Sequence, residues 1–473
     1  MSVADHAVDK LSASRWSAFA WKGRAVQPTV LALAAIGTAF YVVRFWTVYA
    51  AGELFHRLGF DWTMFWAQAM VVRAGDAPDM YDFSGDGPVT HQLQVLSQFY
   101  TGPGKFQFAL PVAYPPWFAA LFLPFTFPSP PMGFLLWSAL SVACGVWLVV
   151  RFKQMLPSVP LLGAAVLIFG AYPVALGLFM GQVVLIMGVA VAEMFVSFRA
   201  GRDFRAGLWL AVLLLKPQYA VLFGLLILWK WRVRGLLGAA LGTIALFVLG
   251  LIVVGFPAFL RISDSAGDFA DFRSEHAAPL LMINWRALVL YALPWIASNQ
   301  GVILVAVLSI ATVIVLFAFW QGPWNAAAPE FSTRFAAVAL GSLVTSYHSH
   351  VHGIALMMVP LAAAWAQPVF STKTRVALLA AVYLPTLLLV WTGGVVERFA
   401  VSAAGDLSLW YAWPDGVPVL LFMTAFVLVC RDMWRAEQPR LHLTALTMMK
   451  SPMAVNNTAL TRLRRVGLIR RAN

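Results

Sequence analysis

The strongest constraint on this chain is a series of apolar runs, each long enough to cross a lipid bilayer. A helix needs about 20 apolar residues to span hydrocarbon, with a range of about 17–25. Such runs occupy residues 28–50, 132–150, 160–178, 182–198, 236–256, 300–320, 353–369, 375–392 and 414–431. A shorter run, 334–347, leads into a histidine cluster. The composition agrees, with 61% of the 473 residues hydrophobic and 11% charged, against about 25% charged in a soluble domain. The same values exclude a disordered, collagenous or coiled-coil chain. The expected fold class is therefore an all-α polytopic membrane protein. Cys144 and Cys430 lie inside apolar runs and suggest no disulfide framework.

Two further segments need interpretation. Within 111–128, Pro115, Pro116, Pro124 and Pro128 leave an apolar helix of barely two turns. That is too short to span and reads as an interfacial or re-entrant helix. Segment 206–229 is bracketed by Arg205 and by Lys230, Arg232 and Arg234. Basic flanks belong on the cytoplasmic side, so this segment must enter the membrane and return. Lys216-Pro217 at its middle supplies the turn, and two half-length helices meet at a lysine.

These readings predict twelve spans with both termini cytoplasmic. Residues 1–27, which are polar and mixed, form a cytoplasmic segment with no cleavable signal peptide. Residues 28–431 form the transmembrane domain, with 51–131 as a long first extracytoplasmic loop. Residues 432–473 form a basic cytoplasmic tail. The inner side then holds 24 Lys and Arg against 7 acids, counting Glu193, and the outer side 9 against 13. The net charge of +13 is thus a strongly positive inner side offset by a mildly negative outer one. It is the imbalance of a membrane protein, and no nucleic-acid partner is implied. Arg462, Arg464, Arg465, Arg470 and Arg471 in the tail suit anionic lipids of the inner leaflet.

Acids, amides, histidines and aromatics concentrate in the outer loops, so chemistry is expected there. Asp61 opens an apolar segment, 61–74, that reads as a helix at the membrane surface with Asp61 at its N-cap. A carboxylate at that boundary is also able to accept a proton, and the two roles are compatible. Lys216, between two short apolar helices, is costly unless it is paired or faces a cavity. Its natural partner is an anion such as a phosphate. Gln218 stands close enough in sequence to add a hydrogen bond. Gln182, at the outer start of a span, is either a further buried polar ligand or a hydrogen bond between helices.

Tyr347-His348-Ser349-His350-Val351-His352 ends a span on the outer side. On a helix His348 and His352 would share a face. Acidic and thiol partners for a metal are missing nearby and no His-Glu-x-x-His pattern exists, so no metal site is expected. Binding an anionic headgroup, or assisting a carboxylate base, fits better. The loop 257–299 offers Arg261, Arg273, His276, Asn284 and Arg286. Arg286 is the most site-like of these, because it begins an apolar stretch. The acids Asp264, Asp268, Asp271 and Glu275 recur at helical spacing and read as a solvated face.

Taken in order, these residues resemble glycosyltransferase family 87, within the GT-C class of membrane glycosyltransferases. The resemblance rests on Asp61 to Ala69 followed by Gly75 and Tyr81, and on Tyr114-Pro115-Pro116 with Pro124. It continues through Gly181-Gln182-Val183, Ala206-Gly207-Leu208 with Lys216-Pro217, and the histidine cluster followed by Pro360. It covers roughly residues 28–365 and implies a GT-C-like fold in the plasma (inner) membrane with an extracytoplasmic site. It further implies that a polyprenyl-phosphate sugar, mannose in this family's type, is the donor. A lipid-linked or envelope glycan is the acceptor. Asp61 would be the general base, His352 or His348 would be the functional histidine, and Lys216, His352 and Arg286 would neutralise the leaving phosphate. Lys216, Gln218, Gln182, Arg286, His350, Tyr114 and Tyr81 would hold donor phosphate and acceptor. The reaction would invert the anomeric centre and use no cofactor and no divalent metal. Two other classes of function remain open from sequence: a transporter or lipid flippase, which needs paired charges near the midplane and matched halves, and a non-catalytic assembly subunit.

Overall fold

A computed structural model describes residues 26–51, 54–55, 58–100, 114–263, 282–392 and 409–450. The acids at 264–275, Arg273, His276 and the tail's Arg462, Arg464, Arg465, Arg470 and Arg471 lie outside the described residues. Those that are described form helices α1 (Val26–Ala50), α2 (Phe60–Ala74), α3 (Pro88–Tyr100), α4 (Pro116–Phe122), α5 (Pro130–Met155), α6 (Leu161–Phe169), α7 (Tyr172–Met180) and α8 (Val184–Arg199). They continue with α9 (Asp203–Val212), α10 (Val221–Trp229), α11 (Val233–Leu260), α12 (Trp285–Ala292), α13 (Ser298–Ala318), α14 (Pro329–Thr345), α15 (Met358–Trp365), α16 (Thr372–Thr392) and α17 (Leu409–Lys450).

Among the described residues, five helices are long and apolar enough to cross a membrane. They include α5, α11 and α13, and the bent pair α6–α7, with 60° between its halves, makes a sixth candidate. The other crossings read from sequence fall on shorter helices or on α16, so twelve remains an expectation. The outer faces of the long helices carry Leu237, Ile244 and Ile252 on α11 and Ile303, Ile310 and Ile314 on α13, all exposed. Isoleucine and leucine stripes of this kind suit lipid tails as their solvent. α8 and α14 are buried almost throughout. α8 packs against α5, α9 and the segment 351–365, at the centre of the molecule.

The break at Lys216 read from the sequence is present. α9 ends in a 3₁₀ turn, Leu213–Leu215, and Pro217–Tyr219 forms another before α10 begins. Lys216 stands between them in a non-helical conformation. Asp203, where the hairpin leaves, pairs with Arg232, just past its return. Glu193 on α8, fully buried, accepts from Arg151 of α5 and Arg205 of α9, and from the Trp147 indole at 2.9 Å. The basic helix ends therefore gather on one side, and the Lys216 turn points to the other. The proline-bounded segment is equally short in the structure, a helix over Pro116–Phe122 and a 3₁₀ turn over Leu123–Thr126.

Two local expectations are corrected. Asp61 is not the N-cap of its helix. Gly59 is, with φ 76°, and α2 starts at Phe60. The left-handed turn is natural for glycine, and the Gly59 N–H donates to the Phe179 carbonyl at 2.6 Å, fixing the helix start against α7. α2 is covered by protein, with every residue from Trp62 to Ala69 buried. The histidines do not share a helical face either. Residues 346–350 are non-helical, with bends at Tyr347 and His348, His350 bridges to Met282, and a 3₁₀ helix begins only at Val351.

Candidate active site

The site forms where the first turn of α2, the end of α7 and the Lys216 turn converge. Gly181 caps α7 in the left-handed region with φ 72°. Its carbonyl accepts from the Trp137 indole at 2.9 Å, which fixes the loop that carries Gln182. The Gln182 amide then donates to Oδ2 of Asp61, and its oxygen accepts from Lys216 Nζ at 2.8 Å. One neutral amide thus joins a carboxylate and an ammonium. Gln182 and Lys216 are buried, and Asp61 is half-buried.

Burial raises the Asp61 carboxyl above its usual value. The Gln182 hydrogen bond and the Lys216 charge oppose that rise and do not cancel it. Lys216 Nζ also lies 4.9 Å from the centre of the Tyr114 ring, a cation–π contact. Tyr114 is wedged against Phe118 and Phe65, and its carbonyl accepts from the Tyr81 hydroxyl at 2.5 Å. Tyr81 is buried behind Tyr114. It supports the site wall, where the sequence suggested substrate contact.

The histidine run lies beside this group, in reach of Lys216's field. His348 and His350 meet edge to face with centroids 4.7 Å apart, and His350 stacks on His352 at 5.5 Å. Burial, then the charges of Lys216 and Arg286, push the His350 imidazole down to about 3. At neutral pH it is uncharged. His352 is buried, and its Nε2 has no hydrogen-bond partner among the described residues. A buried nitrogen of that kind calls for a ligand or a water.

The turn after Lys216 ties the two halves together. Gln218 donates to the His348 carbonyl at 3.4 Å, and the Tyr219 hydroxyl meets Ser349 Oγ at 3.4 Å. Arg286, fully buried, holds its guanidinium 5.0 Å from the Tyr347 ring and touches the Met282 sulfur. Asn284 clamps the run from the far side. Its Oδ1 caps α12 by accepting from Ala287 N–H, and its Nδ2 donates to the Ser346 and Tyr347 carbonyls at 2.9 and 3.0 Å.

Asp61, Gln182, Lys216 and Tyr114 are thus in direct contact. His348, His350 and His352 form an adjoining row. Gln218 and Arg286 hold its backbone and its neighbour Tyr347. The Tyr219–Ser349 contact was not singled out from sequence, because neither residue carries a signal of its own. The Asn284 clamp had one, an asparagine directly before an apolar helical run. Among the described residues no group of three or more His, Cys, Asp or Glu is arranged to hold a metal ion.

A carboxylate of raised proton affinity beside a buried cation suits transfer chemistry in which a proton is taken and an anion departs. The family model of glycosyltransferase family 87 matches residues 113–347. That span takes in Tyr114, Gln182, Lys216, Gln218 and Arg286, and stops just before His348. No curated protein and no solved structure matches the chain. The chain belongs to glycosyltransferase family 87 and is a membrane glycosyltransferase.

Proposed function

We propose that the enzyme transfers a sugar, mannose, from a polyprenyl-phosphate donor to a hydroxyl of a lipid-linked or envelope glycan, with inversion, on the extracytoplasmic face of the plasma membrane. The observation that carries this reading is the single amide linking Asp61 to Lys216. It puts a base and an anion-binding cation within one substrate's reach. Asp61 takes the acceptor hydroxyl proton as that oxygen bonds to the anomeric carbon. The bond from that carbon to the phosphate oxygen breaks, and its electron pair leaves on polyprenyl phosphate.

The transition state is oxocarbenium-like, as in glycoside chemistry generally. Lys216 meets the charge that develops on the leaving phosphate. His352 and His350 are uncharged neighbours that donate or accept hydrogen bonds, and they gain protons only if a phosphate offsets the nearby positive field. Arg286 contributes to that field. Asp61 receives the proton that the acceptor gives up and Lys216 supplies the positive charge, so the scheme calls on no metal or cofactor.

A transporter needs charged groups near the midplane, and Glu193 is a carboxylate fully buried in α8. Its pairing with Arg151 and Arg205 at the basic helix ends removes that support from a transporter reading. The test is transfer of labelled mannose from polyprenyl-phosphate mannose by purified protein in lipid nanodiscs. Asp61→Asn is expected to abolish transfer. Wild-type turnover in that variant would remove Asp61 as the base.

A further inference from the structure

The Gln182 amide uses both of its ends inside the protein, and this changes what the residue is for. Its nitrogen is committed to Asp61 Oδ2 and its oxygen to Lys216 Nζ. The side chain is buried, and the loop beneath it is held by the Gly181 cap and the Trp137 indole. A substrate would gain little from an amide already engaged at both ends. What the amide does is decide how the carboxylate and the ammonium face each other.

With no side chain between them, an acid and a lysine in an apolar site would close into a direct ion pair. That pair would hold the carboxylate ionised but weakly basic, and would spend the lysine charge that an anion needs. With the amide between them, Asp61 keeps Oδ1 unengaged by Gln182, and Lys216 keeps two of its three N–H groups clear of it. Among the described residues Tyr114 faces both, with its ring on Lys216, and His348, His350 and His352 stand within the field of Lys216.

We infer that Gln182 is a positioning residue of the transfer reaction, an amide spacer that orients Asp61 and Lys216 and keeps each open toward substrate. This rests on the reading of Asp61 as the base, and one measurement does not depend on that reading. The Asp61 carboxyl is titrated by infrared difference spectroscopy on purified full-length protein, its band identified by its loss in Asp61→Asn. Gln182→Met keeps the bulk of the side chain, which still holds Asp61 and Lys216 apart, and removes both hydrogen bonds. The Asp61 midpoint is then expected to rise by about one to two pH units, the equivalent of one hydrogen bond to a charged group. Gln182→Glu keeps an acceptor for Lys216 but sets a like charge beside Asp61. It is expected to move the midpoint at least as far upward, and it serves if the methionine variant does not fold.

In the mannose-transfer assay kcat of Gln182→Met falls by about 10- to 100-fold, and the acidic limb of its pH profile moves upward with the titration. An unchanged Asp61 midpoint in both variants overturns the inference. So does a uniform loss of rate with no movement of the profile. If Asp61→Asn transfers sugar normally while the midpoint still moves, the base assignment fails and the spacer geometry stands without its catalytic role. That outcome also overturns the inference as a statement about catalysis.

Discussion

Gly181 lies directly against Trp62, so close that a Cβ placed at 181 would stand 2.5 Å from the Trp62 Cβ. This contact seats the end of α7 on the first turn of α2, and it brings Gln182 to Asp61. Gly181→Ala would add that clash to a left-handed backbone, which costs about 1–2 kcal/mol for a residue with a Cβ. We expect a lowered unfolding temperature in detergent together with a loss of transfer in the protein that remains folded. A variant of normal stability and activity would show that the seat is not needed.

The raised proton affinity of Asp61 has a definite pH signature. Burial disfavours the charged carboxylate, so the base form fills only as pH rises through a value above the ordinary aspartate range near ~3.9. Activity is therefore expected to climb with pH and to reach its plateau later than a solvated aspartate would allow. The check is kcat/KM against pH at saturating donor. An acidic limb at or below the ordinary value would contradict the buried environment.

Lys216 is expected to act on the departing anion. Lys216→Gln keeps a polar side chain but removes the charge. Loss of a group that stabilises developing charge costs about 100- to 1000-fold in kcat. Steady-state kinetics with polyprenyl-phosphate mannose would show kcat falling further than the donor KM rises. A pure KM effect would recast Lys216 as a ground-state anchor.

Asn284 is expected to hold the histidine row in place. Asn284→Ala removes a helix cap worth about 1 kcal/mol and frees the Ser346 and Tyr347 carbonyls that it now satisfies. Hydrogen exchange over residues 346–352 should speed up, while that over α8 should not. Equal protection in both variants would show that the run holds itself.

Glu193 offers a control at the opposite end of the bundle. Glu193→Gln weakens the contacts with Arg151 and Arg205 and is expected to cost about 1–3 kcal/mol of stability. Transfer per folded molecule should be unchanged. A specific loss of kcat would point to coupling between the two ends that the scheme above does not contain.

How much of this was legible beforehand depends on the range of the force involved. Apolar runs and prolines act on their own stretch of chain. Hydropathy therefore marked the long helices, Pro116 and Pro124 marked the short segment, and Lys216-Pro217 marked the break between α9 and α10. The imbalance of basic and acidic residues gathered Arg151, Arg205 and Arg232 to one side, where the structure pairs them with Glu193 and Asp203.

Local rules failed where a distant partner outweighed them. Asp61 had the chemistry of a cap, but Gly59 bonds to Phe179 and takes that position, which releases the carboxylate to Gln182. The histidines had helical spacing, but Met282 and Asn284 hold the backbone before Val351 out of a helix. Sequence alone determined which segments are helical, which are too short to span, and which polar residues are too costly to bury idly. Only the tertiary structure decided that Asp61, Gln182 and Lys216 form one chain. Helix formation is settled by neighbours along the backbone, whereas a buried carboxylate and ammonium find their partners across space.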